Sequence, residues 1–142
     1  MFANVTALLV DSHAKCLTPV IGGDFNSRPG DLNKICNMNY ATNIDQITNS
    51  HGTSYFIDIC NVGNVFPVNH IRYKGKQFPG KYTYHKSGKN SQIDFVMTNK
   101  EGLQCISQFT IVDLNWHLSD HLPLHLYLEV NENISASGLL RH

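Results

Sequence analysis

The chain has 142 residues, 42% of them apolar and 15% charged, a balance that fits one globular domain and excludes the disordered and membrane classes. Eleven basic and eleven acidic residues leave a formal net charge of zero, so the molecule as a whole offers no attraction to a polyanion. No run approaches the roughly 18 to 20 apolar residues of a membrane span, and Met1 to Leu9 lacks the basic start of a secretory signal, which predicts an intracellular protein, nuclear or cytoplasmic, with no membrane association.

Phe2, Val5, Leu8, Leu9 and Cys16 recur at helical spacings, so Phe2 to Leu17 reads as an amphipathic helix that Pro19 ends. Val20-Ile21 then reads as a short buried strand running into Gly22-Gly23, where missing side chains allow a sharp turn or a close approach. Arg28-Pro29-Gly30-Asp31 is a turn signal, and the Asn-rich segment from Leu32 to Ser50 reads as loop with some helix. The apolar cluster Tyr55 to Cys60 around Asp58 reads as helical after an Asn49-Ser50-His51-Gly52 start.

Lys81 to His85 and Gln92 to Thr98 are aromatic and β-branched runs flanking Lys86-Ser87-Gly88-Lys89-Asn90, a pattern that predicts they pair as a hairpin. Cys105 to Val112 reads as a further strand. Leu122, Leu124, Leu126, Leu128 and Val130 alternate with Pro123, His125, Tyr127 and Glu129, the clearest period-two pattern in the chain. Residues 1–130 therefore read as one α/β sandwich-like domain and residues 131–142 as a polar tail.

Cys16, Cys36, Cys60 and Cys105 contain no Cys-x-x-Cys pair, which argues for ordinary thiols in a reducing compartment. The sequons at Asn4 and Asn133 matter only in a secreted protein. Arg72, Lys74, Lys76, Lys81, Lys86 and Lys89 are six of the eleven cations, no Asp or Glu occurs from Asn61 to Gln92, and Tyr73, Phe78, Tyr82 and Tyr84 interleave with them. Cations alternating with aromatics suit a phosphate backbone and its bases, although a solvated hairpin surface has the same composition.

Chemistry concentrates at three places. Asp24 and Asn26 lie two apart at a strand end, so one accepting and one donating side chain can project the same way, an arrangement suited to positioning a water and stabilising a phosphoryl oxygen; turns also select Asp and Asn for backbone reasons. Asp94 sits among Ile93, Phe95, Val96 and Met97, where a carboxylate must find a partner or bear a desolvation cost of a few kcal/mol. His121 is the natural partner, held by Asp94 in one tautomer with its other nitrogen facing substrate. Asp120 is then free for a hard cation such as magnesium, which takes one or two carboxylates plus water and substrate oxygens. His117, His121 and His125 recur every four residues, a zinc-type face on a helix, but the alternating leucines and Pro123 indicate a strand, where that spacing does not converge.

Gly23-Asp24-Phe25-Asn26, Ser91-Gln92-Ile93-Asp94-Phe95 and Ser119-Asp120-His121-Leu122-Pro123, in that order, resemble the endonuclease/exonuclease/phosphatase superfamily, the deoxyribonuclease-like fold. Gly52 to Cys60, Pro67-Val68-Asn69-His70 and Tyr82-Thr83-Tyr84 look most like the endonuclease domains of non-LTR (LINE-type) retrotransposons. The resemblance implies a four-layer α-β-β-α sandwich, of which roughly the C-terminal half is covered. It implies phosphodiester hydrolysis with Mg2+ or Mn2+: Asp24 orienting or deprotonating water, Asn26 holding the phosphate, His121 contacting it, Asp94 orienting His121, and Asp120 in the metal site. Thr83, Ser91, Lys86 and Lys89 would lie on the DNA-facing hairpin surface, with nicked DNA as product.

The family's N-terminal half, which supplies a metal-binding Glu, has no counterpart, so impaired hydrolysis is expected, together with an uncovered sheet that associates with itself or a partner chain. A catalytically inactive remnant that binds nucleic acid or protein is the alternative, and a nucleotide or lipid phosphatase is a third reading.

Overall fold

The computed structural model describes residues 2–116 and 118–129; Met1, His117, Val130 and the expected polar tail lie outside the described residues. It shows mixed helix and sheet. Helix α1 (Phe2–Ala14) ends a turn earlier than its apolar stripe predicts, because Cys16 takes a left-handed φ of 55°. Only part of the stripe turns inward: Leu9 is buried, whereas Leu8 and Cys16 face solvent. Leu9 packs on Gly63 of α2 (Ser50–Gly63), where an added Cβ would stand 2.5 Å from a Leu9 methyl, so the missing side chain sets how closely these helices approach.

Strand β1 (Val20–Asp24) pairs antiparallel with β7 (Asp94–Thr98), and β2 (Phe66–Pro67) pairs with the other edge of β7, giving the order β1-β7-β2. Every residue of β7 is buried, as its central place requires. Phe25, one residue past β1, is the anchor of this region. Its ring meets Phe56 of α2 edge-on at 6.0 Å and Phe95 of β7 at 6.2 Å, while Phe56 and Phe95 meet at 5.0 Å. Such pairs contribute about 0.5–1.5 kcal/mol each beyond their buried area, and they fix the strand end that carries Asp24 and Asn26.

The Asn-rich stretch is loop apart from a 3₁₀ turn at Leu32–Lys34, whose Asn33 N–H is capped by the Asp31 carboxylate. Two tight hairpins follow β2. The first, β3 (Arg72–Tyr73) with β4 (Lys76–Gln77), turns at Lys74 and Gly75, and the second, β5 (Tyr84–Lys86) with β6 (Lys89–Ser91), turns at Ser87 and Gly88; all four turn residues have positive φ, as two-residue hairpin loops of this twist require. The expected pairing of 81–85 with 92–98 is therefore corrected: the chain breaks at Gln92-Ile93, and the apolar run beyond it leaves the hairpin to form β7 in the central sheet.

Helix α3 (Lys100–Cys105), capped by the Asn99 side chain, precedes β8 (Ile106–Ile111), so Cys105 closes a helix and does not open the strand. β8 pairs with β9 (Leu124–Leu128) across an irregularity at Ile106/Gln108. Leu124 and Leu126 are only half-buried and, with Val20, Gly22, Val96 and Leu122, line an open groove of about 400 Å³ beside the central sheet. No helix among the described residues is long and apolar enough to cross a membrane.

Candidate functional site

The β1–β7 register sets Asp24 directly opposite Asp94 at the sheet end. Gly23 takes a φ of 146°, a conformation that L side chains rarely adopt, yet the ladder continues past it to Asp24, and the Phe25 N–H still donates to the Ile93 carbonyl at 2.9 Å. Asp24 Oδ1 then accepts the Asn26 N–H at 2.8 Å, an Asx turn that holds Asn26 at a left-handed φ of 50°. Both turn chemistry and an exposed pair of polar side chains are thus present: Asp24 and Asn26 face solvent while Phe25 between them is buried.

This loop is bolted to the start of α2. Ser27 Oγ donates to the Gly52 carbonyl at 2.6 Å, Asn49 Nδ2 donates to the Asn26 carbonyl at 3.0 Å, and a Cβ on Gly52 would come within 2.6 Å of that same carbonyl oxygen. Arg28 forks onto the buried Asp45 through Nε and Nη2 at 2.9 and 2.7 Å, and Asp45 also accepts the Gln92 N–H, which ties the loop to the segment leading into Asp94.

Asp94 is 6% exposed and has found the partner its burial demands. His121 Nδ1 lies 3.0 Å from Oδ2 and 3.2 Å from Oδ1, the geometry of an N–H donated to a carboxylate, which leaves Nε2 as the ring nitrogen turned away from Asp94. Burial raises the Asp94 pKa above its ordinary value, opposed by hydrogen bonds from Thr83 and His121 and assisted by the negative charge of Asp24.

His121 is delivered by the second hairpin. His85 N–H donates to the Asp120 carbonyl at 2.8 Å, Leu122 N–H donates to the Thr83 carbonyl at 2.8 Å, Tyr84 bridges to His121, and the Tyr84 and His121 rings stand 4.8 Å apart. Ser119 Oγ accepts the His121 N–H at 3.0 Å and shapes the approach.

Asp24, Asn26, Asp94 and His121 are accordingly linked along one edge. Asp120 immediately precedes His121, and its exposed side chain joins no hydrogen bond within that set. Lys86 and Lys89 are exposed and face each other at the hairpin tip, whereas Lys81 pairs with Asp113 at 2.6 Å. Thr83 and Ser91 are buried, so the hairpin surface predicted for them is corrected. Thr83 Oγ1 instead accepts the N–H groups of Ile93 and Asp94 at 3.3 and 3.1 Å, making it a positioning residue for Asp94.

Asn69 is a supporting residue that the sequence reading assigned no role. It is wholly buried, donates to the Asp94 carbonyl at 3.3 Å and accepts the Val96 N–H at 3.0 Å, standing in for a neighbouring strand where β2 stops. The available signal was a lone amide inside the apolar stretch Val65 to Ile71. Beside it the buried His70 gives a ring N–H to Gln92 Oε1 at 2.7 Å, and burial lowers its pKa, consistent with a neutral ring.

Among the described residues no three His, Cys, Asp or Glu side chains come together as a metal cage. His117 of the four-residue histidine pattern lies outside them, and His125 sits on a strand. A hydrated magnesium ion needs only one or two carboxylates, and the exposed Asp120 fits that chemistry.

Set against models of known protein families and against curated proteins, the chain matches none. What the structure defines is a mixed helix and sheet protein with a carboxylate-bound imidazole at a sheet end.

Proposed function

We propose that the chain is a divalent-metal-dependent phosphodiester hydrolase that nicks DNA, built as part of a four-layer sandwich of the endonuclease/exonuclease/phosphatase type. The observation that carries this reading is the Asp94–His121 hydrogen bond placed across from Asp24. A phosphodiester has two needs: a positioned water and stabilisation of charge on the phosphoryl oxygens. Asp24, exposed and adjacent to Asn26, orients the water and takes its proton as the oxygen attacks phosphorus and the ester P–O bond breaks. Asn26 donates its amide to a phosphate oxygen. His121, held through Nδ1 by Asp94, offers Nε2 to the scissile phosphate. Asp120 would hold Mg2+ or Mn2+, which supplies charge neutralisation to the phosphate when bound.

A second reading is favoured by one observation. Lys86 and Lys89 stand directly opposite each other, a like-charge pair that is unfavourable alone and becomes favourable beside a polyanion. In that reading the hairpin binds nucleic acid without hydrolysis. The half-open leucine groove supports a partner chain or second copy against the sheet in either case.

Conversion of supercoiled plasmid to open circle by the purified chain, with magnesium and then with excess chelator, tests the proposal. Magnesium-dependent nicking is expected; its absence at every metal concentration overturns hydrolysis. DNA affinity that falls with salt, with the log–log slope reduced by about 1 for each of Lys86→Ala and Lys89→Ala, then favours the binding reading.

A further inference from the structure

A cavity of about 530 Å³ lies between the loop after the 3₁₀ turn, α2 and the start of α3, and two cysteines share it. Cys36 is half-buried on the loop just past the turn, and Cys60 is buried on α2, with Asn37, Asn61, Lys100 and Glu101 among the other lining residues. Both thiols line this one cavity, and each is the largest single influence on the other's ionisation. Neither has a part in the phosphodiester chemistry above, and Cys16 and Cys105 do not line this cavity.

We propose that Cys36 and Cys60 are a dithiol modification site for hydroperoxides, with Cys36 as the attacking sulfur and Cys60 as the resolving one. Two features set the roles. Cys36 lies on the exposed side of the pair, where a small peroxide can enter from the cavity. Its partner's S–H favours a Cys36 thiolate and lowers its pKa against the opposing effect of burial, while the same contact and burial raise that of Cys60. Tyr40 adds little as a donor, since its single hydroxyl proton goes to the Pro67 carbonyl at 2.9 Å.

In the first step the Cys36 thiolate attacks the distal peroxide oxygen, the O–O bond breaks, and sulfenic acid forms as the leaving alkoxide or hydroxide takes a proton. In the second the Cys60 sulfur attacks the sulfenic sulfur, water leaves, and the disulfide forms. The sum is two thiols oxidised by two electrons and one hydroperoxide reduced to an alcohol, or water, plus water. Cys36 sits on a loop and Cys60 on α2, so any movement needed to form the S–S bond of about 2.05 Å is asked of the loop and not of the helix.

The full chain is treated with hydrogen peroxide, its remaining thiols are alkylated, and the protein is digested without reduction for peptide mass analysis. A Cys36–Cys60 linked peptide, lighter by two hydrogens than the sum of its parts and split by reductant, is the expected main product. In Cys60→Ser, dimedone is expected to label Cys36, because the resolving thiol is gone. Persistence of both thiols as alkylated peptides while the exposed Cys16 oxidises would overturn the proposal, as would dimedone labelling of Cys60 in the unmodified sequence.

Discussion

His121 Nδ1 stands 3.0 Å from Asp94 Oδ2, joining a half-exposed ring on the segment before β9 to a buried carboxylate on the central strand β7. That contact gives Asp94 a partner in a buried strand that is apolar from Phe95 to Met97, and it aims the ring's other nitrogen away from Asp94. Thr83 and Asn69 hold the same strand through its backbone, so the pair rests on fixed supports.

Asp94 makes stability depend on pH with a definite sign. Its pKa is raised in the folded protein, first by burial, against an ordinary value of 3.8. A carboxyl with a raised folded value contributes stability that is fully present below the unfolded pKa and is lost as pH rises through the folded one. Asp94→Asn, which cannot ionise, is therefore expected to gain stability relative to the unmodified protein as pH climbs from below 3.8 to neutrality. Urea midpoints of both proteins across that range check this; a difference independent of pH contradicts it.

Thr83→Val removes the acceptor for the buried N–H groups of Ile93 and Asp94 while keeping the side-chain shape. An unpaired buried donor costs about 1–3 kcal/mol, so a loss of that size is expected in denaturant unfolding, with Thr83→Ser recovering most of it. An unchanged midpoint would mean that the hydroxyl supports nothing.

Gly52→Ala separates two opposing effects. In a helix interior the added methyl ordinarily stabilises by about 0.5–1 kcal/mol. Here it would stand 2.6 Å from the Asn26 carbonyl oxygen, a backbone atom that cannot rotate away. Overpacking of this kind costs about 1–3 kcal/mol, and the clash is expected to win, lowering the melting temperature and moving the Asn26 loop. A higher melting temperature would show that the loop yields without cost.

Much of this was legible in the residues. Alternation through Asp24, Phe25 and Asn26 announces one buried ring between two outward polar groups, and a carboxylate within Ile93 to Met97 announces a required partner. The chemistry of a buried carboxylate points to His121 as that partner, and the two side chains meet. The hairpin register was not legible, because Gln92 to Thr98 has uniform β-character and nothing local marks the break at Gln92-Ile93. Thr83 resembles a surface threonine in an aromatic strand, and only the backbone donors of a distant strand reveal its burial. Arg28 and Asp45 meet across a loop without periodicity, so their ion pair leaves no pattern in the chain.

The sharpest test compares nicking rates of the unmodified chain with Asp24→Ala and His121→Ala under the same magnesium concentration. A lost general base typically costs about 10²–10⁴ in rate and a lost charge-stabilising donor about 10²–10³, so both variants are expected to fall by at least the lower figure while remaining folded. Nicking that continues undiminished in both variants would contradict the catalytic assignment of this sheet edge.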